Sequence, residues 1–466
     1  MKFNQNVRKP AWSCMIPLAF ALTLAACGDG SGPSSSKDSG SSDGGKTEKG
    51  PATGRLLDTA VSGVAYAASS GDKGNTDENG TFKYNHGDTI EFKLGALVLG
   101  KVKGAAIVTP MELAGDSANK LQNLLILLQS LDVDGNPDNG ISIPADAATA
   151  VTASINLDSD PAAFAASAEL QKAREAGSVA GAVKTAQQAN AHFLSQGLSL
   201  LSTNIWVKHD DATASIIRIS ADGTGEYLEG EATPDDSCDA NRVCGGNLVS
   251  KAGVEYGAAK VSEFDTRGFK FAGKPVIDTN LHAGLSHPRA TWRIRTDGSD
   301  LITSDIVTVP RERKQASLFG ELFHIAGTLE ISSSKEPIKT EVKEIRFSKM
   351  ENDPKGIVGA WAVDTAAIKT PTYFFFSNGK FMVVDPLGDP ERPGHTSCGD
   401  PGVEFASYSY DAGSGAFSVK SFTYDTNGCA GFSGNDPSSF KLGADGNIAT
   451  MESKSGTALT LHRISK

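Results

Sequence analysis

The stretch Asp278-Thr-Asn-Leu-His-Ala-Gly-Leu-Ser286 returns as Asp425-Thr-Asn-Gly-Cys-Ala-Gly-Phe-Ser433. Matches on either side keep the same order. Upstream, Asp222-Gly-Thr-Gly-Glu-Tyr227 answers Asn378-Gly-Lys-Phe381, Ser237-Cys238 answers Ser397-Cys398, and Gly253-Val-Glu-Tyr256 answers Gly402-Val-Glu-Phe405. Downstream, Asp297-Gly298 answers Asp445-Gly446 at nearly the same interval, and Arg346-Phe-Ser-Lys349 answers Arg463-Ile-Ser-Lys466. Collinear matches over so long a span mark an internal duplication. Short alternating runs between glycine turns read as strands. Two tandem all-β copies are expected, at 203–350 and 356–466.

Upstream of the duplication the period changes. Leu121, Leu124, Leu125, Leu128 and Leu131 fall on one helical face behind Asp116, which is placed to cap it. Further helices are expected in the alanine-rich stretch from Asp146 to Leu201, with Pro144 and Pro161 where helices begin. Residues 116–202 therefore form a helical module whose leucine face packs helix on helix. Before it, 54–115 alternates in short runs such as Gly80-Thr-Phe-Lys-Tyr84 and Thr89-Ile-Glu-Phe-Lys-Leu94, split by turn-formers such as Asn85-His-Gly-Asp88. This segment reads as a small β-sandwich and resembles the prealbumin-type modules of bacterial surface proteins, which implies a spacer or stalk. The fold class is thus multi-domain and mainly β: sandwich, helical adaptor, then two β domains.

The first residues carry an export signal. Lys2, Arg8 and Lys9 precede the apolar run Met15-Ile-Pro-Leu-Ala-Phe-Ala-Leu-Thr-Leu24, which is too short to span a bilayer. Leu24-Ala-Ala-Cys27 then resembles the bacterial lipobox. The resemblance implies that 1–26 is removed and that Cys27 becomes the acylated N-terminus. Several acyl chains at one end hold a protein durably to a membrane. Gly28 after the cysteine, rather than Asp, implies the outer membrane. Residues 27–53 are a Gly/Ser-rich tether with a reach of roughly 25–30 Å. Within it, Gly40-Ser-Ser-Asp-Gly44 matches a hydrolase pattern by letter only, having neither the strand before it nor the helix after it.

Each copy opens on a tryptophan, Trp206 or Trp361, and closes on an arginine, Arg346 or Arg463. With Gly359-Ala-Trp361, this resembles the lipocalin-like β-barrels. In those families the indole plugs the closed end and the arginine packs across it, so the resemblance implies structural roles for all four residues. The first copy has Asn204-Ile-Trp206 and lacks the glycine. An eight-stranded barrel is either filled by side chains or holds one small ligand. In Tyr373-Phe-Phe-Phe376, one alternate pair of rings faces the interior, as packing or as the lining of a lipophilic site.

Of six cysteines, Cys14 leaves with the signal and Cys27 is acylated. The other four fall two to a copy, Cys238 with Cys244 and Cys398 with Cys429. An even count in an exported chain argues for disulfides paired within each copy. Asp132, Asp134, Asn136 and Asp138 alternate around Gly135 as in acidic calcium loops, although Ile141 stands where an EF-hand closes with glutamate. An Asx turn ending a helix is the alternative. Asp278-Thr-Asn280 and Asp425-Thr-Asn427 read as turn-formers between strands, and His282 and His287 as loop residues. No catalytic constellation is recognisable, and apart from that one loop no cofactor is indicated.

The net charge of −11, made more acidic by loss of the signal, repels phosphate backbones and argues against nucleic-acid binding. The expected function is that of a lipid-anchored binding protein at the outer membrane. It would carry a small apolar ligand in a barrel or present its barrel loops to an envelope protein. The alternatives are an adhesin or assembly factor and, behind these, a hydrolase.

Overall fold

The structure, a computed structural model, describes residues 49–209, 213–231, 253–280, 285, 292–309, 339–388, 401–427 and 431–464. Strands dominate.

The chain opens with β1 (Pro51–Leu56), β2 (Val61–Ser62), β3 (Ala65–Ala68), β4 (Lys73–Asn75), β5 (Thr81–Asn85), β6 (Thr89–Leu94), β7 (Leu97–Lys103) and β8 (Ile107–Val108). They make a three-stranded sheet, β5-β1-β8, and a four-stranded one, β4-β3-β6-β7. Alternation decides which face is buried: in β6, Ile90, Phe92 and Leu94 are buried, while Thr89, Glu91 and Lys93 lie on the other face.

Helices α1 (Pro110–Ala114) and α2 (Ala118–Ser130) follow, then strand β9 (Ile141–Ser142) and helices α3 (Ala145–Ala150), α4 (Pro161–Ala165), α5 (Ala168–Ala176) and α6 (Ala186–Leu201). The cap of α2 is Ser117 rather than Asp116: its hydroxyl accepts from the Lys120 N–H. The leucine face is fully buried. Parallel pairing of β2 with β9 ties the sheets to the helices. A side chain at Gly197 of α6 would run into the Phe269 ring, so the small residue lets the helix seat against the β domain that follows.

That domain is a closed eight-stranded barrel: β10 (Trp206–His209), β11 (Thr213–Ile219), β12 (Thr224–Glu231), β13 (Gly253–Asp265), β14 (Gly268–Asp278), β15 (Trp292–Thr296), β16 (Asp300–Val309) and β17 (Lys339–Lys349). Strand β17 returns to β10, with Trp206 opposite Lys349. Closure removes the free edges that would otherwise pair with other chains.

The second copy repeats the order with β18 (Gly359–Ala362), β19 (Thr372–Phe375), β20 (Lys380–Asp385), β21 (Gly402–Tyr410), β22 (Phe417–Asp425), β23 (Pro437–Leu442), β24 (Ile448–Ser453) and β25 (Ala458–Arg463). Helix α7 (Gly431–Asn435) lies between β22 and β23. Strand β25 pairs back to β18, so the sheet curls as the first does but stays open at one seam. There, among the described residues, β22 and β23 share no ladder; one isolated bridge, Ala416 to Ser439, spans the neighbouring step. The second copy is therefore a half-closed barrel rather than a closed one.

Three apolar clusters follow from this arrangement. One runs from the two small N-terminal sheets through the helices into the first barrel. Another fills the interior of the second β domain. The third joins the two domains through outward residues, including Ile216, Leu228 and Tyr256 from the first and Phe374, Met382 and Phe405 from the second. A side chain on Gly230 would meet Val384 at 2.6 Å, so the two sheets are in close contact there.

Candidate functional site

Both barrels are built up from the tryptophan end. The Trp206 indole N–H donates to the Leu201 carbonyl at 2.9 Å, satisfying a terminal carbonyl of α6, and the Trp361 N–H donates to Ile357 at 2.8 Å. Both indoles are buried. Arg463 stands opposite Trp361 and donates to the carbonyls of Gly446, Val358, Asp353 and Gly356. Arg346 is placed differently. It is more than half exposed and pairs with Asp297 at 2.7 Å and Asp300 at 3.1 Å on the neighbouring hairpin. The register puts Lys349, not Arg346, opposite Trp206, so Arg463 corresponds to Lys349. The matching letters Arg-x-Ser-Lys are offset by three residues from the structural equivalence.

The repeated Asp-Thr-Asn segment makes one clasp in both copies. The Thr279 hydroxyl receives the Val254 N–H at 2.8 Å while its N–H donates to the Val254 carbonyl. Thr426 does the same with Val403. Asn280 and Asn427 are thereby delivered to the interior, each fully buried.

Inside the first barrel Asn280 meets a polar network. Its amide nitrogen donates to Glu229 at 3.1 Å, the Ser215 hydroxyl donates to Glu229 at 3.0 Å, and the Tyr227 hydroxyl donates to the same carboxylate. Glu255 lies buried directly across the strand pair. Burial, and then the carboxylates, push the Tyr227 hydroxyl well above its ordinary value.

The second domain has lost this network. Aligned on Glu255 and Glu404 of the repeated Gly-Val-Glu, register places Tyr373, Phe381 and Val383 where the first has Ser215, Tyr227 and Glu229; the first-strand ladders are set two residues apart from this alignment, with Trp206 facing Ile217 and Trp361 facing Tyr373. With no counterpart to Glu229, neither polar atom of the Asn427 amide has a partner among the described residues. Tyr373 and Phe375 face the interior, while Phe374 and Phe376 pack in the cluster between the two domains. Phe432 of α7 completes an aromatic set, stacked on Tyr373 at 5.2 Å and tilted against Phe381 at 5.0 Å.

A cavity of about 250 Å³, open to solvent, lies beside these rings. Its lining includes Tyr373, Gly431, Phe432, Met451, Leu459 and, at the polar rim, Ser453 and Thr457. Glu404 underlies its wall, accepting the N–H groups of Phe432 at 2.7 Å and Ser433 at 2.8 Å. Burial, against the pull of those two donors, raises the Glu404 carboxyl to about 7. The Tyr373 hydroxyl is raised by burial and by the nearby Asp385 and Glu404.

The acidic loop of the helical module takes the Asx-turn form. Asp134 accepts the Asn136 N–H at 2.8 Å and the Asn139 amide at 2.9 Å, Asp132 accepts the Ser142 N–H, and Asp138 turns away to His192. Asp138 therefore stands apart from Asp132 and Asp134, whose carboxylates lie against each other. Among the described residues no three His, Cys, Asp or Glu side chains converge as metal ligands.

His192 and Asp138 belong to a cluster that sequence spacing does not reveal. His192 Nδ1 lies 2.9 Å from Asp138 and its Nε2 lies 3.7 Å from Asp58, which is fully buried and accepts from Gln129 at 2.9 Å. Burial raises Asp58 to about 7 and lowers His192, the latter opposed by Asp138.

Cys14, Cys27, Cys238, Cys244, Cys398, Cys429, His282 and His287 lie outside the described residues. No described helix is long and apolar enough to cross a membrane. Neither the protein-family models nor the curated proteins nor the solved structures contain a match to this chain.

Proposed function

We propose that the protein is a lipid-anchored binding protein of the cell envelope, whose second, lipocalin-like β domain takes up a small apolar ligand. The cavity beside Tyr373 and Phe432 carries this reading. At about 250 Å³ it suits one ring or a short branched chain, with aromatic and aliphatic walls and a few polar groups at the mouth. The first barrel serves as scaffold: its lower interior is filled with side chains, including Trp206, Tyr227, Phe271 and Trp292, and its upper interior by the Glu229 network. In this reading Cys27 is the acylated anchor and residues 27–53 the tether.

Calorimetric titration with neopentylbenzene, a compact neutral probe, tests uptake. Binding to the wild-type chain and at least tenfold weaker binding to Leu459→Trp, which fills the cavity, are expected. Equal affinity for both proteins, or no heat from either, refutes the site. For the anchor, Cys27→Ala is expected to leave the membrane fraction, and its persistence there would place the attachment elsewhere.

A further inference from the structure

The second β domain holds a hydrogen-bond donor that has no acceptor. In the first barrel the Ser215 hydroxyl donates across the strand pair to Glu229 at 3.0 Å. In the same alignment the second domain pairs Tyr373 with Val383, so an alkyl group stands across from the hydroxyl bearer. Tyr373 is 6% exposed, and among the described residues its hydroxyl makes no hydrogen bond. Nor is that hydroxyl sealed from solvent, as both polar atoms of the Asn427 amide are. Its oxygen therefore keeps an opening, and the open space that Tyr373 borders is the cavity.

The other polar side chains of the lining are already engaged. The Ser453 hydroxyl accepts the Thr457 N–H at 3.0 Å and shares a hydrogen bond with Ser455, which also reaches the Thr457 hydroxyl. The rest of the wall, from Phe432 and Pro437 to Met451 and Leu459, offers no polar side chain. No charged side chain lines the cavity, and Lys454 and Asp436, the chain neighbours of Ser453 and Pro437, are paired with each other at 2.7 Å. Burial and the nearby Asp385 and Glu404 hold the Tyr373 hydroxyl in its protonated form. It is thus a neutral donor at the edge of an apolar space, where an ion would lose its water without gaining a counter-charge.

We infer that the ligand of this cavity is an uncharged apolar molecule with one hydrogen-bond acceptor, a ketone or ester oxygen, which accepts from the Tyr373 hydroxyl. The inference rests on the cavity being a ligand site, and it makes Tyr373 the residue that sets which apolar ligand is preferred. A hydrocarbon seated there strips the hydroxyl of water and gives nothing back, whereas a carbonyl restores the hydrogen bond.

The test compares neopentylbenzene with tert-butyl phenyl ketone, two probes of nearly the same shape that differ by a carbonyl in place of a methylene. Calorimetry on the wild-type chain and on Tyr373→Phe gives the ratio of ketone to hydrocarbon affinity for each protein. Comparing the ratios cancels the different water solubilities of the probes. The ratio is expected to be about tenfold higher in the wild-type chain. An infrared spectrum of the ketone, labelled with carbon-13 at the carbonyl, needs no variant: the stretch should lie lower when bound to the wild-type chain than in alkane solution. Equal ratios in the two proteins, or a bound carbonyl at its alkane frequency, overturns the inference and leaves apolar uptake standing. If the wild-type chain binds neither probe, the cavity is not a ligand site and both readings fall.

Discussion

Arg463 stands directly across the closing strand from Trp361, with its guanidinium carbon 4.0 Å from the centre of an indole ring. In the first barrel the same position holds Lys349, exposed and opposite Trp206. One copy thus fastens its first strand to its last with a buried, forked cation; the other has the same two-pair ladder without one, and its indole is held by the Leu201 carbonyl at the end of α6.

Arg463→Ala removes four carbonyl contacts and the ring contact together, and should cost the second β domain about 2–4 kcal/mol. Trp361→Ala should cost about 3–5 kcal/mol. Lys349→Ala should change stability by no more than about 0.5 kcal/mol. Urea unfolding of the three variants measures this order, and equal losses at Arg463 and Lys349 would show that the two positions are energetically alike.

Asn280 and Asn427 should respond oppositely to an apolar replacement. Asn280→Leu strips Glu229 of one donor in a buried interior, at about 1–3 kcal/mol. Asn427→Leu removes an amide with no described partner and should be neutral or stabilising. The difference in urea midpoint between the two variants reports it; a loss at Asn427 as large as at Asn280 would contradict the assignment.

The pair Asp58 and His192 makes a prediction about slopes. Asp58 is raised in the folded state, so its contribution to stability falls as pH rises from about 4 to about 7. His192 is lowered, so its contribution is lost as pH falls below about 6.5. The two oppose each other, so their joint contribution to the pH dependence is smaller than that of either alone. Asp58→Asn should lose stability toward acid and His192→Gln toward base, measured as melting temperature against pH. Slopes of the same sign in both variants would refute the pairing.

The second β domain carries its own raised carboxyl, Glu404. Its raised carboxyl means that stability falls as pH rises from about 4.5 to about 7, by on the order of 2–3 kcal/mol. Glu404→Gln should flatten that slope for the second β domain, read from urea midpoints at pH 5 and pH 8. A slope unchanged by the substitution would assign it to another group.

How much of this could be read from the letters depends on what holds each letter in place. The duplication was legible because its signature residues do fixed geometric work: Thr279 and Thr426 clasp Val254 and Val403. The strand-rich class and the buried leucine face of α2 followed from periodicity. Register on the closing strand did not, because matching letters carry no face: an offset of three residues moves Arg346 to the outward side, and only pairing with Trp206 shows it. Closure of the second sheet failed for a similar reason, since strand order can repeat without the last ladder forming. The Asp58 and His192 cluster joins residues far apart in the chain and leaves no local mark. The loss of the Glu229 network was hidden because Val383 and Phe381 are ordinary strand residues until register sets them beside their counterparts.

The apolar faces that join the two β domains have one more consequence. Ile216, Leu228, Val254 and Tyr256 of the first correspond by register to Phe374, Met382, Val403 and Phe405 of the second, and all eight lie in one cluster. Each half meets the other through the same patch of its own surface, the geometry of a two-fold symmetric homodimer. In the tandem arrangement each half is thus the other's partner, and the patch is covered within one chain. The two halves differ inside: one lumen holds the Glu229 network, and the other keeps an unsealed side.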